Sequence, residues 1–122
     1  MAQRYEYLFI AYDYPGVMEA KLNLVEAHED TIKQDKANGS SVEWLAGGPF
    51  FKEHGTMPPE IIGSWGILYA PTKQDAVERL KNDPFTTEKI WDWDKLTIVD
   101  SVSGMRLPLP NPGMDNMGRN LQ

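Results

Sequence analysis

The first third of the chain divides into an apolar run of strand length and a long segment of helix-forming residues. Residues 5–12 are apolar and aromatic, and the turn residues Asp13-Tyr14-Pro15-Gly16 end the run. Residues 17–37 contain neither glycine nor proline, and Asn38-Gly39 follows them as helix C-termini often do. The pattern predicts a strand followed by a long helix.

The predicted helix should bury one face. At 100° per residue, four apolar side chains share an arc: Met18, Leu22, Val25 and Ile32. His28 lies at the border of this arc, and Glu29 falls inside it. The helix pattern therefore leaves His28 open to two interpretations, a polar residue at the edge of a buried face or a functional group.

Three more strands are predicted, over residues 42–51, 61–70 and 93–102. Gly47-Gly48-Pro49 is expected to break the first of them. Before the last strand, Thr72 and Asp75 have nearly the spacing of a capping box that opens a second helix, and Asp83-Pro84 ends that helix. The order is β-α-β-β-α-β, so we expect an α+β protein of ferredoxin-like topology with an antiparallel sheet.

Length and composition indicate one domain followed by a tail. A chain of 122 residues is long enough to bury one modest core. Residues 1–103 contain every predicted element and form the domain. Residues 104–122 are rich in proline, glycine and asparagine, and we expect them to form an extended C-terminal tail across a partner subunit or over a pocket mouth.

Both faces of the first strand are apolar. Tyr5, Tyr7, Phe9 and Ala11 alternate with Leu8, Ile10 and Tyr12. One face can pack on the helices of its own chain, but the other needs a different cover. We therefore expect a homodimer in which two sheets meet as a dimeric α+β barrel.

Charge and cysteine content exclude several classes of function. The net charge of −6 argues against non-specific nucleic-acid binding. No apolar run approaches the roughly 20 residues of a membrane span, and the N-terminus lacks the layout of a signal peptide. The absence of cysteine excludes disulfides, a thiolate nucleophile and cysteine metal sites. We expect a cytoplasmic protein that binds neither nucleic acid nor membrane.

Metal and phosphate-cofactor sites are not predicted. His28 and His54 lack the spacing of metal ligands, and His54 lies in a polar loop where we expect it to be solvated. Gly47-Gly48-Pro49 precedes no helix and lacks the Lys-Ser/Thr ending of a phosphate loop. We therefore expect chemistry without a cofactor.

Five short motifs occur in the order found in the YCII-related domain family, which the chain resembles over roughly residues 5–100. These motifs are Ile10-Ala11-Tyr12-Asp13-Tyr14-Pro15-Gly16, Ala27-His28, Leu45-Ala46-Gly47-Gly48-Pro49-Phe50, Gly63-Ser64, and Asn82-Asp83-Pro84-Phe85 followed by Ile90-Trp91. Two positions depart from the family pattern: Val25 stands where arginine is frequent, and Glu29 where leucine is usual.

The resemblance implies a dimeric α+β barrel with a pocket in each subunit. It also implies that a histidine and an aspartate, here His28 and Asp83, form the functional pair. The best-understood chemistry of the family is a cofactor-free elimination on a chlorinated hydroxyquinol. Val25 makes an anion-clamping role at its position doubtful, and Glu29 adds a second candidate acid or base.

Each candidate residue has a functional and a structural interpretation. His28 can exchange a proton near neutral pH, and Asp83 can orient its imidazole or simply stop the helix before Pro84. Glu29 either lines a pocket or extends to solvent. Ser64 can donate to a substrate carbonyl or satisfy local backbone, and the backbone near Gly48 can present N–H groups to an oxyanion.

Aromatic residues are frequent in the predicted strands and would suit a flat ligand. We expect Tyr7, Trp65, Phe85 and Trp91 to contact substrate, with core filling as the alternative. Trp91 and Trp93 alternate with Asp92 and Asp94, which is typical of a strand.

These features predict a cofactor-independent acid–base enzyme acting on a small aromatic or polyketide-like enolisable metabolite. A lyase or dehydratase is the first choice, an isomerase or cyclase the second, and a hydrolase the third because no activated nucleophile is apparent. Two alternatives stay open. One is a non-catalytic small-molecule-binding or stress-related module, and the other is a cofactor-free quinol monooxygenase.

Overall fold

The computed structural model describes residues 3–107, which contain the four predicted strands and the two predicted helices in the expected order, together with a short third helix. These elements are β1 (Tyr5–Tyr12), α1 (Met18–Ala37), β2 (Glu43–Phe51), β3 (Ile61–Ala70), α2 (Lys73–Lys81), α3 (Pro84–Thr87) and β4 (Thr97–Ser101). The α+β class and the ferredoxin-like topology are confirmed. Residues 108–122, most of the predicted tail, lie outside the described residues.

The sheet is antiparallel throughout, with strand order β2-β3-β1-β4. β1 is central and pairs along its full length with β3, from Tyr5 opposite Ala70 to Tyr12 opposite Gly63. Its other edge pairs with β4. This arrangement satisfies the backbone of the most apolar strand on both sides.

The hydrophobic core lies between one face of the sheet and the helices. Alternate residues of β1, namely Tyr7, Phe9 and Ala11, are buried there, and Leu68 of β3 lies opposite Tyr7. Leu80 of α2 is fully buried in the same cluster. Burying a side chain of this size stabilises the folded state by about 1.5–3 kcal/mol. The apolar contacts on this face therefore provide much of the free energy that holds the helices against the sheet.

The start of α2 follows the predicted capping pattern. The Thr72 hydroxyl accepts a hydrogen bond from the Asp75 backbone N–H at 3.1 Å and donates to the Asp75 carboxylate at 2.9 Å. Within residues 3–107, none of the helices is long and apolar enough to cross a membrane.

Three sequence expectations are corrected by the fold. Strand β2 is continuous through Gly47-Gly48-Pro49, because β2 is an edge strand where a proline need not donate to a neighbour. Residues 93–95 form a 3-10 turn instead of a strand, with the Asp92 carboxylate accepting from the Asp94 N–H at 3.2 Å. Trp91 lies before that turn in an isolated bridge to Asp13.

The buried face of α1 is also rotated from its predicted position. Leu22 is 41% exposed, whereas the preceding residue, Lys21, is completely buried. The buried residues of the helix are Lys21, Val25 and His28, which have the spacing of a single stripe. The ammonium of Lys21 can be buried in this stripe because it pairs with the carboxylate of Asp13.

We expect Gly66→Ala to lower the free energy of unfolding by about 1–3 kcal/mol, because a Cβ at this position would lie 2.4 Å from Cε2 of Phe9. Urea unfolding measures the loss. Gly48→Ala is the matched control in the neighbouring strand, since its nearest contact would be 3.5 Å from Trp65 Nε1. Equal losses at the two positions would contradict the close packing assigned to Gly66.

Candidate active site

His28 and Asp83 form a buried pair between α1 and the start of α3. Nδ1 of His28 lies 2.9 Å from both carboxylate oxygens of Asp83. α1 supplies the histidine from its buried stripe, and Asp83 is the N-cap of α3. The residue suspected of only stopping a helix therefore also holds the imidazole.

The surroundings of Asp83 determine which nitrogen of the neutral imidazole carries the hydrogen. Asp83 is completely buried and accepts hydrogen bonds from Arg79 Nη1 at 3.1 Å and from the Phe85 N–H at 2.9 Å. A carboxylate that collects donors in this way acts as an acceptor towards His28 as well. Nδ1 therefore carries a hydrogen in the neutral ring, and Nε2 has the lone pair.

Aromatic rings hold the imidazole in one orientation. Phe85 stacks on it at a centroid distance of 4.3 Å and an interplanar angle of 20°. Trp44 and Trp91 meet it edge-on at 5.4 Å and 6.2 Å. His28 is 9% exposed, so the ring is fixed on several sides and still reaches the surface of a cavity.

That cavity has a volume of about 360 Å³ and lies between α1 and the edge strand β2. Six of the predicted site residues line it: His28, Glu29, Ser64, Gly48, Trp65 and Phe85. Glu29 is half-buried at its wall, in agreement with the interpretation that it faces a pocket. The cavity is large enough for a small aromatic ligand.

Three predicted site residues do not line the cavity. Asp83 lies behind His28 and acts through it. Tyr7 packs in the core because it shares the helix-facing side of β1 with Phe9, and it does not line the cavity. Trp91 is 1% exposed and donates its indole N–H to Ser64 Oγ at 3.1 Å instead of contacting the cavity.

A second buried network, which the sequence analysis missed, stands behind Ser64. Lys21 Nζ lies 3.0 and 2.9 Å from the two carboxylate oxygens of Asp13 and 2.9 Å from Ser64 Oγ. The sequence pattern places Asp13 in a turn and gives Lys21 no role. The available signal was the spacing of Lys21 with Val25 and His28 on one helix stripe.

Burial and pairing act in opposite directions on this ion pair. Desolvation raises the pKa of Asp13, and the charge and hydrogen bonds of Lys21 partly oppose that rise. Desolvation likewise lowers the pKa of Lys21, opposed by Asp13. The charged form of either side chain would be unfavourable in this buried position without the opposite charge of the other.

Arg79 is the other functional residue that sequence reasoning missed. Besides its contact with Asp83, its Nη2 donates to Thr31 Oγ1 at 2.9 Å and its Nε donates to Asp35 at 2.5 Å. Its position four residues before Asp83 in α2 was the available signal. Arg79 thus joins α1, α2 and the His28–Asp83 pair.

A cluster of side chains that could bind a metal ion is not found in the described part of the chain. No group of three histidine or acidic side chains within residues 3–107 has the geometry to hold a metal ion. His54 is exposed in its loop, as expected.

A comparison against known families agrees with the order of motifs along the chain. The YCII-related domain family matches residues 5–94. The chain belongs to this family.

Two relatives accompany this assignment. The chain is 30% identical over 105 residues to aspercryptin biosynthesis cluster protein B of Emericella nidulans, a match that covers 83% of this chain and 65% of that protein. It also superposes on 5-chloro-2-hydroxyhydroquinone dehydrochlorinase of Burkholderia phenoliruptrix, solved with 2,5-dihydroxybenzoquinone. That likeness has a TM-score of 0.66 and 23% identity, covering 81% of this chain and 95% of the other, and supports the fold.

We expect Lys21→Met to lower the free energy of unfolding by about 3–5 kcal/mol, because it leaves the Asp13 carboxylate buried without its cation. The double variant Lys21→Met/Asp13→Asn should recover part of that loss, since it removes the unpaired charge. Denaturant unfolding at constant protein concentration compares the two. A double variant less stable than Lys21→Met would contradict the pairing.

Proposed function

We propose that the protein is a cofactor-independent acid–base enzyme that acts on a small aromatic or polyketide-like enolisable metabolite. The observation that carries the proposal is the contact of His28 Nδ1 with the buried Asp83 carboxylate at 2.9 Å, on the wall of a cavity. A histidine fixed in this way has one nitrogen for its partner and one for a substrate.

The proposed reaction begins with proton removal. His28 Nε2 takes a proton from an acidic C–H or O–H of the substrate, and Asp83 stabilises the imidazolium that forms. Removal of a C–H proton places the electron pair on a carbonyl oxygen as an enolate, and removal of an O–H proton leaves the pair on that oxygen as a phenolate or enolate. Collapse of that species expels a leaving group, to which the imidazolium returns the proton. The outcome is elimination or dehydration, and proton return to another carbon would give isomerisation.

The oxygen that gains charge needs a donor in the cavity. Ser64 is the first candidate because its Oγ belongs to a buried network at the cavity wall. The backbone near Gly48 is the second. Glu29 lies on the same wall and is a candidate for a second proton transfer.

The class of substrate is supported by the cavity and by the relatives. Trp44 and Phe85, whose rings pack against His28, contribute aromatic surface to the cavity, which suits a flat ring. One relative is named as a protein of a biosynthesis cluster, and the structural neighbour as a dehydrochlorinase of a hydroxylated ring. This chain spans 65% of the length of the first, so its own substrate is a matter of proposal.

We expect His28→Ala to abolish turnover in the producing cell, so that untargeted metabolite profiling finds the substrate raised and the product lost. Asp83→Asn should lower the rate about 10²–10⁴-fold, because an amide no longer stabilises the imidazolium. Asparagine can still cap α3, which should preserve the fold.

The control is His54→Ala, which removes the exposed histidine and should leave the profile as in the unmodified protein. An unchanged profile for folded His28→Ala would refute the enzyme and favour the binding module. Oxygen consumption by the unmodified protein with a quinol would instead point to the monooxygenase.

We further propose that the chain forms a homodimer through the sheet face turned away from the helices. Ile10, Tyr12 and Val99 lie on that face and are 37%, 44% and 44% exposed. Ile10 is paired with Trp65 of β3, which extends the apolar surface. An apolar face of this kind is unfavourable in water, and a second copy presents the same surface by two-fold symmetry.

We expect sedimentation to give twice the mass of the 13.8 kDa chain and Ile10→Lys to shift the protein towards monomer. The shift follows from burying a charge in an apolar interface. Met57→Lys is the matched control, because Met57 is 81% exposed in the loop after β2. A monomeric unmodified protein, or a dimer insensitive to Ile10→Lys, would refute this interface.

A further inference from the structure

Ser64 receives hydrogen bonds from two groups that can only donate. Lys21 Nζ lies 2.9 Å from its Oγ, and Trp91 Nε1 lies 3.1 Å from the same atom. An ammonium and an indole N–H have no acceptor capacity, and a serine oxygen has two lone pairs. Both lone pairs of Ser64 are therefore occupied from within the protein.

This leaves the hydroxyl hydrogen as the part of Ser64 that can engage a ligand. Among the hydrogen bonds within residues 3–107, the hydroxyl has no protein acceptor. Ser64 lines the cavity, although the residue as a whole is only 5% exposed. A serine in this state offers a hydrogen bond to a ligand and cannot accept one.

The two donors are themselves held in place. Lys21 is completely buried, and both oxygens of Asp13 hold its ammonium. Trp91 is 1% exposed and packs against Phe9 and Phe85 at centroid distances of 5.7 and 5.5 Å. Neither donor can turn away when a ligand enters, so the orientation of the Ser64 hydroxyl is set before binding.

We infer that Lys21, together with Trp91, is a positioning residue that makes Ser64 an obligatory hydrogen-bond donor, so that the subsite at Ser64 takes a carbonyl, enolate or phenolate oxygen. The inference deepens the proposed function by specifying where the oxygen of the substrate binds. A group that can only donate, such as an ammonium or an aromatic N–H, is rejected there because two hydrogens would face each other.

The buried ammonium also affects how strongly Ser64 donates. A hydrogen bond from Lys21 to Oγ withdraws electron density from the hydroxyl and makes its hydrogen a better donor. Asp13 offsets the charge of Lys21, so the cavity wall presents an oriented dipole instead of a bare cation. Such a dipole favours an oxygen whose negative charge grows during the reaction.

The test measures binding of 2,5-dihydroxybenzoquinone, whose visible absorption reports complex formation without turnover. We expect Ser64→Ala and Lys21→Met/Asp13→Asn each to weaken binding about 10-fold, the loss of one hydrogen bond to a charged oxygen. Lys21→Arg should retain most of the affinity, because it keeps a charged donor. p-Xylene is a flat six-membered carbon ring of similar size without an acceptor, and its binding should not change in any variant.

A double-mutant cycle separates positioning from general support of the fold. Adding Lys21→Met/Asp13→Asn to Ser64→Ala should cause no further loss, because Lys21 acts through Ser64. Full additivity, or unchanged quinone binding by Lys21→Met/Asp13→Asn, would overturn the inference. So would an unmodified protein that binds p-xylene as tightly as the quinone.

Trp91→Phe provides a variant that leaves both buried charges in place. It frees one lone pair of Ser64, so we expect a smaller loss of quinone affinity in the same direction and no change with p-xylene. Retained affinity in Trp91→Phe would count against the inference. Because binding needs no turnover, this outcome is independent of the metabolite profile of His28→Ala, on which the proposed function depends.

Discussion

A carboxylate that is closed off from water must be surrounded by donors, and Asp83 meets this requirement with groups from three helices. α1 contributes His28, α2 contributes Arg79, and α3 contributes the N–H of Phe85. Leaving such a charge unpaired costs several kcal/mol, so the relative positions of the helices and the tautomer of the imidazole are set by the same requirement. The candidate chemistry is in this sense a consequence of how the helices dock.

Local patterns predicted the elements, and they failed where a tertiary partner decided the outcome. Periodicity assigned Leu22 to the buried face of α1 and gave Lys21 no role, because a lysine is ordinarily solvated. Asp13, across the turn that follows β1, reverses this assignment by pairing with the ammonium. The sequence spacing of Asp13 and Lys21 does not by itself predict that the two side chains pair. Similarly, glycine and proline were expected to break β2, but its place at the sheet edge removes the conflict.

The candidate site could be predicted in part. The family resemblance supplied His28, Asp83 and Ser64, and the structure brings the first two into contact and the third to the same cavity. The roles of the aromatic residues were harder to predict, because strand alternation separates the two faces of a sheet but does not indicate which face, or which end, contacts a ligand. Tyr7 thus lies in the core, whereas Trp65, which pairs with Ile10 on the opposite face of the sheet, borders the cavity beside Gly48.

The stripe Lys21, Val25 and His28 relates the two buried networks to each other. Both a candidate base and the cation that orients a candidate donor come from the same face of one helix, separated by about two turns. Each contacts an aspartate from elsewhere in the chain, Asp83 for His28 and Asp13 for Lys21. A rigid helix therefore keeps constant the spacing between His28 and Lys21, the cation that holds Ser64. An enolisable substrate requires this combination, because the proton leaves one atom as charge gathers on another a fixed distance away.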